Sequence, residues 1–263
     1  AFGMSVVALS ANLFVLFIGL EIASLGSYVL ISFLKETKTG PEAGLKYFIV
    51  GSVSSAIGLY GMSLLYIWNG NLSMTGTTGL AAGWLSDGSN GLAVLGLTFM
   101  LVAFGFKVSA VPFHFATPDA YEGSSAPIAG VLSTASKAMG FAALMRVLIG
   151  ITLGDGESDW YVLIGLIAAI TMTWGNIAAL GSRSPKRMLA YSSVAHAGYI
   201  LAGIAAIGAI GPGSASELIA TAIIFHLAVL VTFKLGAFLV IGLLECEGRG
   251  NNLEDFYGLA KRD

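Results

Sequence analysis

The sequence predicts an all-α protein that crosses a lipid bilayer several times. Its 263 residues are 56% hydrophobic and only 11% charged, with a mean hydropathy of +0.84. Soluble domains are nearer 25% charged, so this composition is typical of membrane proteins. A second observation is a series of seven apolar runs, each long enough to span the hydrocarbon core as a helix, which takes about 20 residues. The third is the polar or glycine-rich segment that separates successive runs.

The seven runs follow one another closely along the chain. They lie near residues 12–34, 44–68, 91–115, 127–150, 160–181, 188–209 and 217–245, after a short apolar stub at about 2–9. None alternates every second residue as the strands of a membrane barrel do, so we expect helices throughout. The chain starts inside an apolar stretch without a signal-peptide pattern and stops in a polar one, so we expect it to be partial.

Basic residues of the connections indicate the topology. Nine of them fall in three connections, namely Lys35, Lys38 and Lys46, then Arg183, Lys186 and Arg187, then Arg249, Lys261 and Arg262. The connections at 69–90, 151–159 and 210–216 carry none. The two sets lie on opposite sides if the 116–126 connection is on the basic side. The positive-inside rule then places the basic connections in the cytoplasm.

The third run differs from the others because a proline interrupts it. A proline removes one backbone donor and clashes with the preceding turn, so we expect this helix to break near Pro112. Broken helices at membrane depth face protein or a watery cavity, as in transporters. His114 lies beside the break. Asp119 and Glu122 follow on the cytoplasmic side, where they either collect incoming protons or simply face water.

Ionisable side chains inside the apolar runs are the strongest functional indication. A charge at the centre of a span costs roughly 2.5–3.5 kcal/mol, so such residues are transport-site hypotheses. They are Glu21, Lys107, Lys137 and Lys234, together with His114, His196 and His226. Lys137 lies near the centre of its run among small and hydroxyl residues that suit close helix contacts. The pattern predicts a proton relay.

Each of these residues also has a structural interpretation. Glu21 heads a polar stripe that continues with Ser24 and Tyr28, and it either fixes helix packing or pairs with a lysine whose proton affinity it modulates. Lys107 is either a proton carrier or a side chain that snorkels to the interface. The histidines are either relay groups or polar residues of the core.

Other classes of function find little support. The single cysteine, Cys246, allows no internal disulfide and no cysteine-based cluster, and the three separated histidines predict no metal site. A net charge of −2 gives no indication of nucleic-acid binding. No phosphate-binding loop or dinucleotide fingerprint is present, so we expect neither a cofactor nor a catalytic residue in this chain.

Several motifs carry a resemblance to a known family. They read KVSAVPFH at 107–114, TPDAYEG at 117–123, TASK at 134–137 and KRMLAYSSVAHAGY at 186–199. These stretches resemble the antiporter-like membrane subunits of respiratory complex I. With LKYFIVG at 45–51 they are most similar to subunit N of NADH-quinone oxidoreductases, and archaeal deazaflavin-linked counterparts carry a very similar subunit. The resemblance covers essentially the whole chain.

The resemblance implies about fourteen helices in the whole fold, with two inverted repeats that each contain a broken helix. This chain would form a single transmembrane domain, with most of the first repeat in 1–150 and the start of the second in 160–263. Glu21, Lys107 and Lys137 match the family's glutamate and its lysines on the seventh and eighth helices. Lys234 departs from subunit N, where that position is usually neutral. The far half-channel would lie beyond the chain.

The function implied is that of a proton-translocating membrane subunit in the cytoplasmic (inner) membrane of a prokaryotic host. Its partners would be other membrane-arm subunits and the lipid bilayer. Iron–sulfur clusters and flavin would belong to partner subunits, with quinone as the electron acceptor. Two rivals are a subunit of a multisubunit sodium/proton antiporter and a purely structural membrane-arm subunit. A quinone site within this chain has little support beyond scattered aromatic residues.

Overall fold

A computed structural model describes residues 1–87, 89–152, 160–250 and 252–259. In these ranges the regular structure is helical, apart from an isolated bridge between Asn12 and Ser73. The helices are α1 (Phe2–Leu9), α2 (Leu13–Ile31), α3 (Thr39–Asn69), α4 (Leu80–Asp87), α5 (Gly91–Val108), α6 (Ala116–Gly123), α7 (Ala126–Val131), α8 (Lys137–Thr152), α9 (Trp160–Leu180), α10 (Pro185–Ile210) and α11 (Ser214–Cys246). A π-helical turn, Leu132–Ser136, joins α7 to α8, and a 3₁₀ turn, Leu253–Phe256, follows α11.

The predicted spans are confirmed. Seven helical segments of the described ranges are long and apolar enough to cross a membrane: α2, α3, α5, α7–α8 as one unit, α9, α10 and α11. The apolar stub is also a helix, α1. Residues 153–159, which form most of the predicted connection at 151–159, and the basic residues Lys261 and Arg262 lie outside the described ranges.

Several boundaries differ from those predicted. Helix α10 begins at Pro185 rather than near residue 188, because Ser184 caps it by accepting the backbone N–H of Arg187 at 3.5 Å and proline is well tolerated at the first helical position. Helix α3 likewise begins at Thr39, before residue 44. The short helix α4 lies inside the 69–90 connection, where no helix was predicted.

Small residues bring two pairs of helices into backbone contact. A Cβ added to Gly61 of α3 would lie 2.6 Å from the carbonyl oxygen of Gly96 on α5. One added to Gly175 of α9 would lie 2.5 Å from the amide nitrogen of Ala195 on α10. Both distances are too short for any side chain. Such close approach is the usual means by which helices associate in membranes.

Ion pairs fix which end of the bundle carries the 116–126 connection. Lys46 lies 3.3 Å from Asp119, and Arg187 lies 3.0 Å from Asp119 and 2.7 Å from Glu122. The connection is therefore on the same side as Lys46 and Arg187, as the charge count required. We call this side of the bundle, marked by Lys46 and Arg187, the basic end.

Candidate functional site

The third span is broken, as the sequence predicted. Helix α5 ends at Val108 rather than at Pro112, because Ser109 adopts a left-handed conformation with φ of +61°. The amides of Ser109 and Ala110 fold back to the carbonyl oxygens of Phe106 and Gly105, at 3.1 and 2.8 Å, in the manner of a helix C-terminal cap. The chain becomes helical again in α6 after residues 109–115.

Hydroxyl groups satisfy the backbone and side chains of the break. The Thr117 hydroxyl donates to Ser109 Oγ at 2.8 Å, which joins the two sides of the break. The amide of Val111 donates to Oγ1 of Thr171, a fully buried residue of α9, at 3.0 Å. Polar partners of this kind are what a non-helical segment at membrane depth requires. This hydrogen bond anchors the break to α9.

Lys107 lies directly before the break and is buried. It is 8% exposed, so the interpretation that it snorkels to the interface is wrong. Its ammonium donates to Ser24 of α2 and lies 5.9 Å from the centre of the Tyr28 ring. Glu21 accepts a hydrogen bond of 2.6 Å from the Ser55 hydroxyl of α3. The expected pairing of Glu21 with Lys107 is therefore indirect, since Ser24 follows Glu21 by one helical turn.

Lys137 occupies the centre of the bundle at the start of α8. It is 5% exposed, and its ammonium donates to the backbone carbonyl of Ser193 on α10 at 2.6 Å. The π-helical turn directly precedes it. Such turns occur frequently at functional sites because they rotate the following side chains relative to a regular helix. Lys137 was predicted from its position in an apolar run, whereas the π-helical turn was not predicted.

The residues before Lys137 explain the π-helical turn. The hydroxyls of Ser133 and Thr134 both donate to the carbonyl oxygen of Gly130, each at 2.8 Å. Two hydroxyls on one carbonyl compete with the regular i−4 bond of the helix. The sequence feature that could have indicated the π-helical turn is therefore the Ser133–Thr134 pair, three and four residues after Gly130.

Lys234 converges on the same turn of α10 as Lys137. It is completely buried, and its ammonium donates to Ser192 Oγ at 2.7 Å and to the carbonyl oxygen of Leu189 at 3.2 Å. Ser192 and Ser193 are neighbours, so lysines from α8 and α11 bind adjacent residues of one helix. None of the ion pairs between described residues includes either lysine. Both ammonium groups therefore donate hydrogen bonds to neutral oxygen atoms.

Two of the three predicted histidines come together. His196 Nδ1 and His226 Nε2 are 3.3 Å apart, so one ring donates to the other. The His196 ring is 5.4 Å from the ring of Phe233, the neighbour of Lys234, which places the histidine pair next to the lysines. His114 lies apart from them: its ring packs 6.0 Å from Trp174, and its buried Nδ1 has no hydrogen-bond partner among the described residues.

Asp119 and Glu122 do more than face water. With Lys46 and Arg187 they form a network of ion pairs that lines a cavity of about 210 Å³ at the basic end. A second ion pair at this end was not predicted. Lys186 was assigned to a connection, yet it lies on α10, is buried, and pairs with a carboxylate of α11.

These features define a class of protein. A multi-pass bundle with one helix broken beside a buried lysine is the architecture of secondary transporters and proteins built like them. Within the described ranges, no three His, Cys, Asp or Glu side chains lie together in a way that would hold a metal ion. The chain belongs to the NADH:quinone oxidoreductase/Mrp antiporter transmembrane family, whose model matches residues 10–263.

Individual relatives support this assignment. NADH-quinone oxidoreductase subunit N of Myxococcus xanthus is 38% identical over 99% of this chain and 54% of its own length. A respiratory complex I chain from Thermus thermophilus superimposes with a TM-score of 0.75 and 34% identity, over 92% of this chain and 49% of its own. A chain of the Mrp complex of Dietzia sp. gives a TM-score of 0.79 with 26% identity, over 92% and 43%. This chain therefore spans about half the length of the relatives it matches.

Proposed function

We propose that this chain carries protons within the membrane arm of an NADH-quinone oxidoreductase of the complex I type. One observation carries the proposal: Lys137 and Lys234 are buried, bind adjacent residues of α10 and have no carboxylate partner among the described residues. A buried ammonium without a carboxylate lowers stability. Such a cost is expected where the charge itself is used.

The proposed path follows the three buried lysines in order. Helix α8 reaches Lys107 directly, since a Cβ added to Gly140 would lie 3.3 Å from the Cβ of Lys107. A proton would move from Lys107 to Lys137 and then to Lys234. Lys137 and Lys234 bind the same turn of α10, and two ammonium groups there would repel each other. A proton that arrives on one lysine would therefore favour release from the other. The pair of His196 and His226 would accept the released proton.

The surroundings supply the other roles. Asp119 and Glu122 would attract protons to the basic end, while Pro112 and His114 belong to the break, which would give water access to Lys107. Glu21 would modulate Lys107 through Ser24. Residues 1–150 would represent most of one inverted repeat and 160–263 the start of the next, with the rest of the path in the part of the relatives that this chain does not cover.

Electron transfer would take place in other subunits. The names of the curated relatives favour NADH over a reduced deazaflavin as the electron donor. Iron–sulfur clusters and flavin would be held by partner subunits, and a quinone would accept the electrons. This chain would contribute to the translocase by contact with the neighbouring membrane-arm subunits, which pass on the conformational or electrostatic change.

The test is NADH-driven proton pumping by the whole complex in sealed vesicles, with Lys137→Ala compared with Glu217→Gln. Glu217 is an exposed residue of α11 outside the site, so this control should pump like the wild type. Lys137→Ala should abolish pumping while the complex remains assembled. Unchanged pumping per electron would refute the proposal and leave the buried charges with a structural role.

A sodium/proton antiporter subunit is the second candidate, supported by the structural likeness to the Mrp complex. Sodium is a hard cation that binds oxygen ligands, whereas the central site presents two ammonium groups that would repel it. We therefore favour protons. Replacement of all sodium by choline should leave pumping unchanged, and a strict requirement for sodium would support the antiporter.

A further inference from the structure

An ion pair between a buried lysine and a part-buried glutamate joins four helices at the basic end. Lys186 Nζ lies 2.7 Å from Glu245 Oε1 and also donates to the carbonyl oxygen of Ser124 at 2.9 Å. Glu245 Oε2 in turn accepts the backbone N–H of Ala126 at 3.2 Å. Lys186 is only 7% exposed. The pair from α10 and α11 thus holds both sides of the corner between α6 and α7.

The two charges of the pair are favourable for the helix ends at the corner but unfavourable for the helices that carry them. Lys186 is in the first turn of α10 and Glu245 in the last turn of α11, where the helix dipoles disfavour their charges. At the corner the signs are favourable. Ser124 ends α6, where a cation is stabilised, and Ala126 begins α7, where a carboxylate is stabilised.

Two helical segments connect the corner to the central lysine. Ala126 begins the continuous helical segment that leads through the π-helical turn to Lys137. Lys186 lies two turns before Ser193 on α10, and Ser193 accepts the Lys137 ammonium. The ion pair and the Lys137–Ser193 contact are therefore two fixed points between the same two helical segments. The π-helical turn, whose hydrogen bonding can rearrange, lies between them.

We infer that the Lys186–Glu245 pair is a clamp that sets the axial position of α7–α8 against α10 and so positions Lys137 on Ser193. The inference rests on the proposed proton transport. Both members of the pair are positioning residues, since neither touches the path described above. Apolar packing holds α7 against α11, as where Gly130 faces Leu235 and Phe238. The clamp would set the axial register of α7–α8 relative to α10.

The test uses the double variant Lys186→Met with Glu245→Gln in the whole complex. This variant removes the clamp without leaving an unpaired buried charge, so it should assemble. A displacement of about 1 Å at a reacting group can lower a rate up to about a hundredfold, and we expect pumping to fall by about ten- to a hundredfold. The pH profile of pumping should also shift, which a purely structural pair would not cause. Glu217→Gln, the same chemical change at the other end of α11, should have no effect.

An exchanged pair, Lys186→Glu with Glu245→Lys, separates a clamp on the corner from a simple ion pair. Exchange restores the attraction but presents a carboxylate to the Ser124 carbonyl and an ammonium to the Ala126 amide. The clamp predicts that pumping stays low, and full recovery would overturn it. Wild-type pumping and pH profile in the double variant, with Lys137→Ala inactive, would refute the clamp alone. Wild-type pumping by Lys137→Ala would instead refute the proposed transport.

Discussion

Lys234 and Lys186 are both buried lysines, and the same substitution should change stability in opposite directions at the two positions. The ammonium of Lys234 donates to the Ser192 hydroxyl and the Leu189 carbonyl, lies 5.6 Å from the centre of the Phe233 ring, and forms no ion pair with any described residue. That of Lys186 has a carboxylate, Glu245, at 2.7 Å. Methionine is close to lysine in length and removes the charge together with the N–H donors. Lys234→Met should therefore stabilise the protein while it stops transport, and Lys186→Met should destabilise it.

The magnitudes follow from what each substitution leaves behind. Hydrogen bonds to a charged group contribute about 1.5–3 kcal/mol each, and desolvation of an ammonium costs several kcal/mol. These two terms oppose each other; since replacing even a buried ion pair by apolar groups often stabilises a protein by about 1–4 kcal/mol, we expect removal of the Lys234 ammonium to stabilise by about 1–3 kcal/mol. For Lys186, loss of the cation leaves a buried carboxylate without its partner. Such a loss costs about 3–5 kcal/mol when complete, and somewhat less here because the Glu245 side chain is 24% exposed.

The assay is thermal stability of the detergent-solubilised complex, measured as the fraction that remains assembled after heating. A change of 1 kcal/mol moves Tm by about 2–4 °C for a chain of this size. Lys234→Met should raise the apparent Tm, Lys186→Met should lower it, and the control Glu217→Gln should leave it unchanged. A decrease for Lys234→Met as large as that for Lys186→Met would show that neutral partners compensate a buried ammonium as well as a carboxylate does. The reasoning behind the central site would then fail.

Three further substitutions test other contacts. Ser55→Ala removes the hydroxyl that donates to Glu21 at 2.6 Å. Because a hydrogen bond to a charged group contributes about 1.5–3 kcal/mol, the rate of pumping should fall about tenfold or more. An unchanged rate would mean that Glu21 does not act on the relay. Thr171→Val leaves the part-buried amide of Val111 without its acceptor, which should lower the unfolding free energy by about 1–3 kcal/mol in a thermal assay. Thr171→Ser should behave like the wild type. Arg146→Gln removes two hydrogen bonds, of 2.9 and 2.7 Å, to backbone carbonyls near the end of α1. It should speed proteolysis of α1 and leave the number of protons pumped per electron unchanged. A changed ratio would assign Arg146 to the proton path.

The sequence predicted the spans because their cause is local. An uninterrupted apolar run of about 20 residues in lipid has to satisfy its own backbone, so it becomes a helix whatever surrounds it. The break was predictable for the same reason, since Pro112 cannot donate within a helix. The exact start of the break was not predictable, because the left-handed turn comes at Ser109, a residue other than glycine, and its contact with the Thr117 hydroxyl forms only in the folded protein.

The partners of the charges could not be predicted, because they come from distant parts of the chain. Lys186 seemed to belong to a solvated connection, and only the approach of Glu245 from α11 shows it to be buried. Lys234 seemed anomalous beside the family pattern, and only its contact with Ser192 places it at the central site. A single sequence gives the depth of a side chain along its own helix. It does not give the neighbouring helix that the side chain faces.

The charged groups of the described residues are distributed by depth in a way that suits a conductor. At the basic end Arg187 pairs with Glu122, and Lys186 pairs with Glu245. In the interior Lys107, Lys137 and Lys234 donate to hydroxyl and carbonyl oxygens. A carboxylate at short range favours the charged form of a lysine and would retain its proton, whereas a neutral oxygen accepts a hydrogen bond and leaves the proton free to move. Ion pairs therefore hold the frame where charges need not change, and neutral acceptors line the region where a proton has to pass.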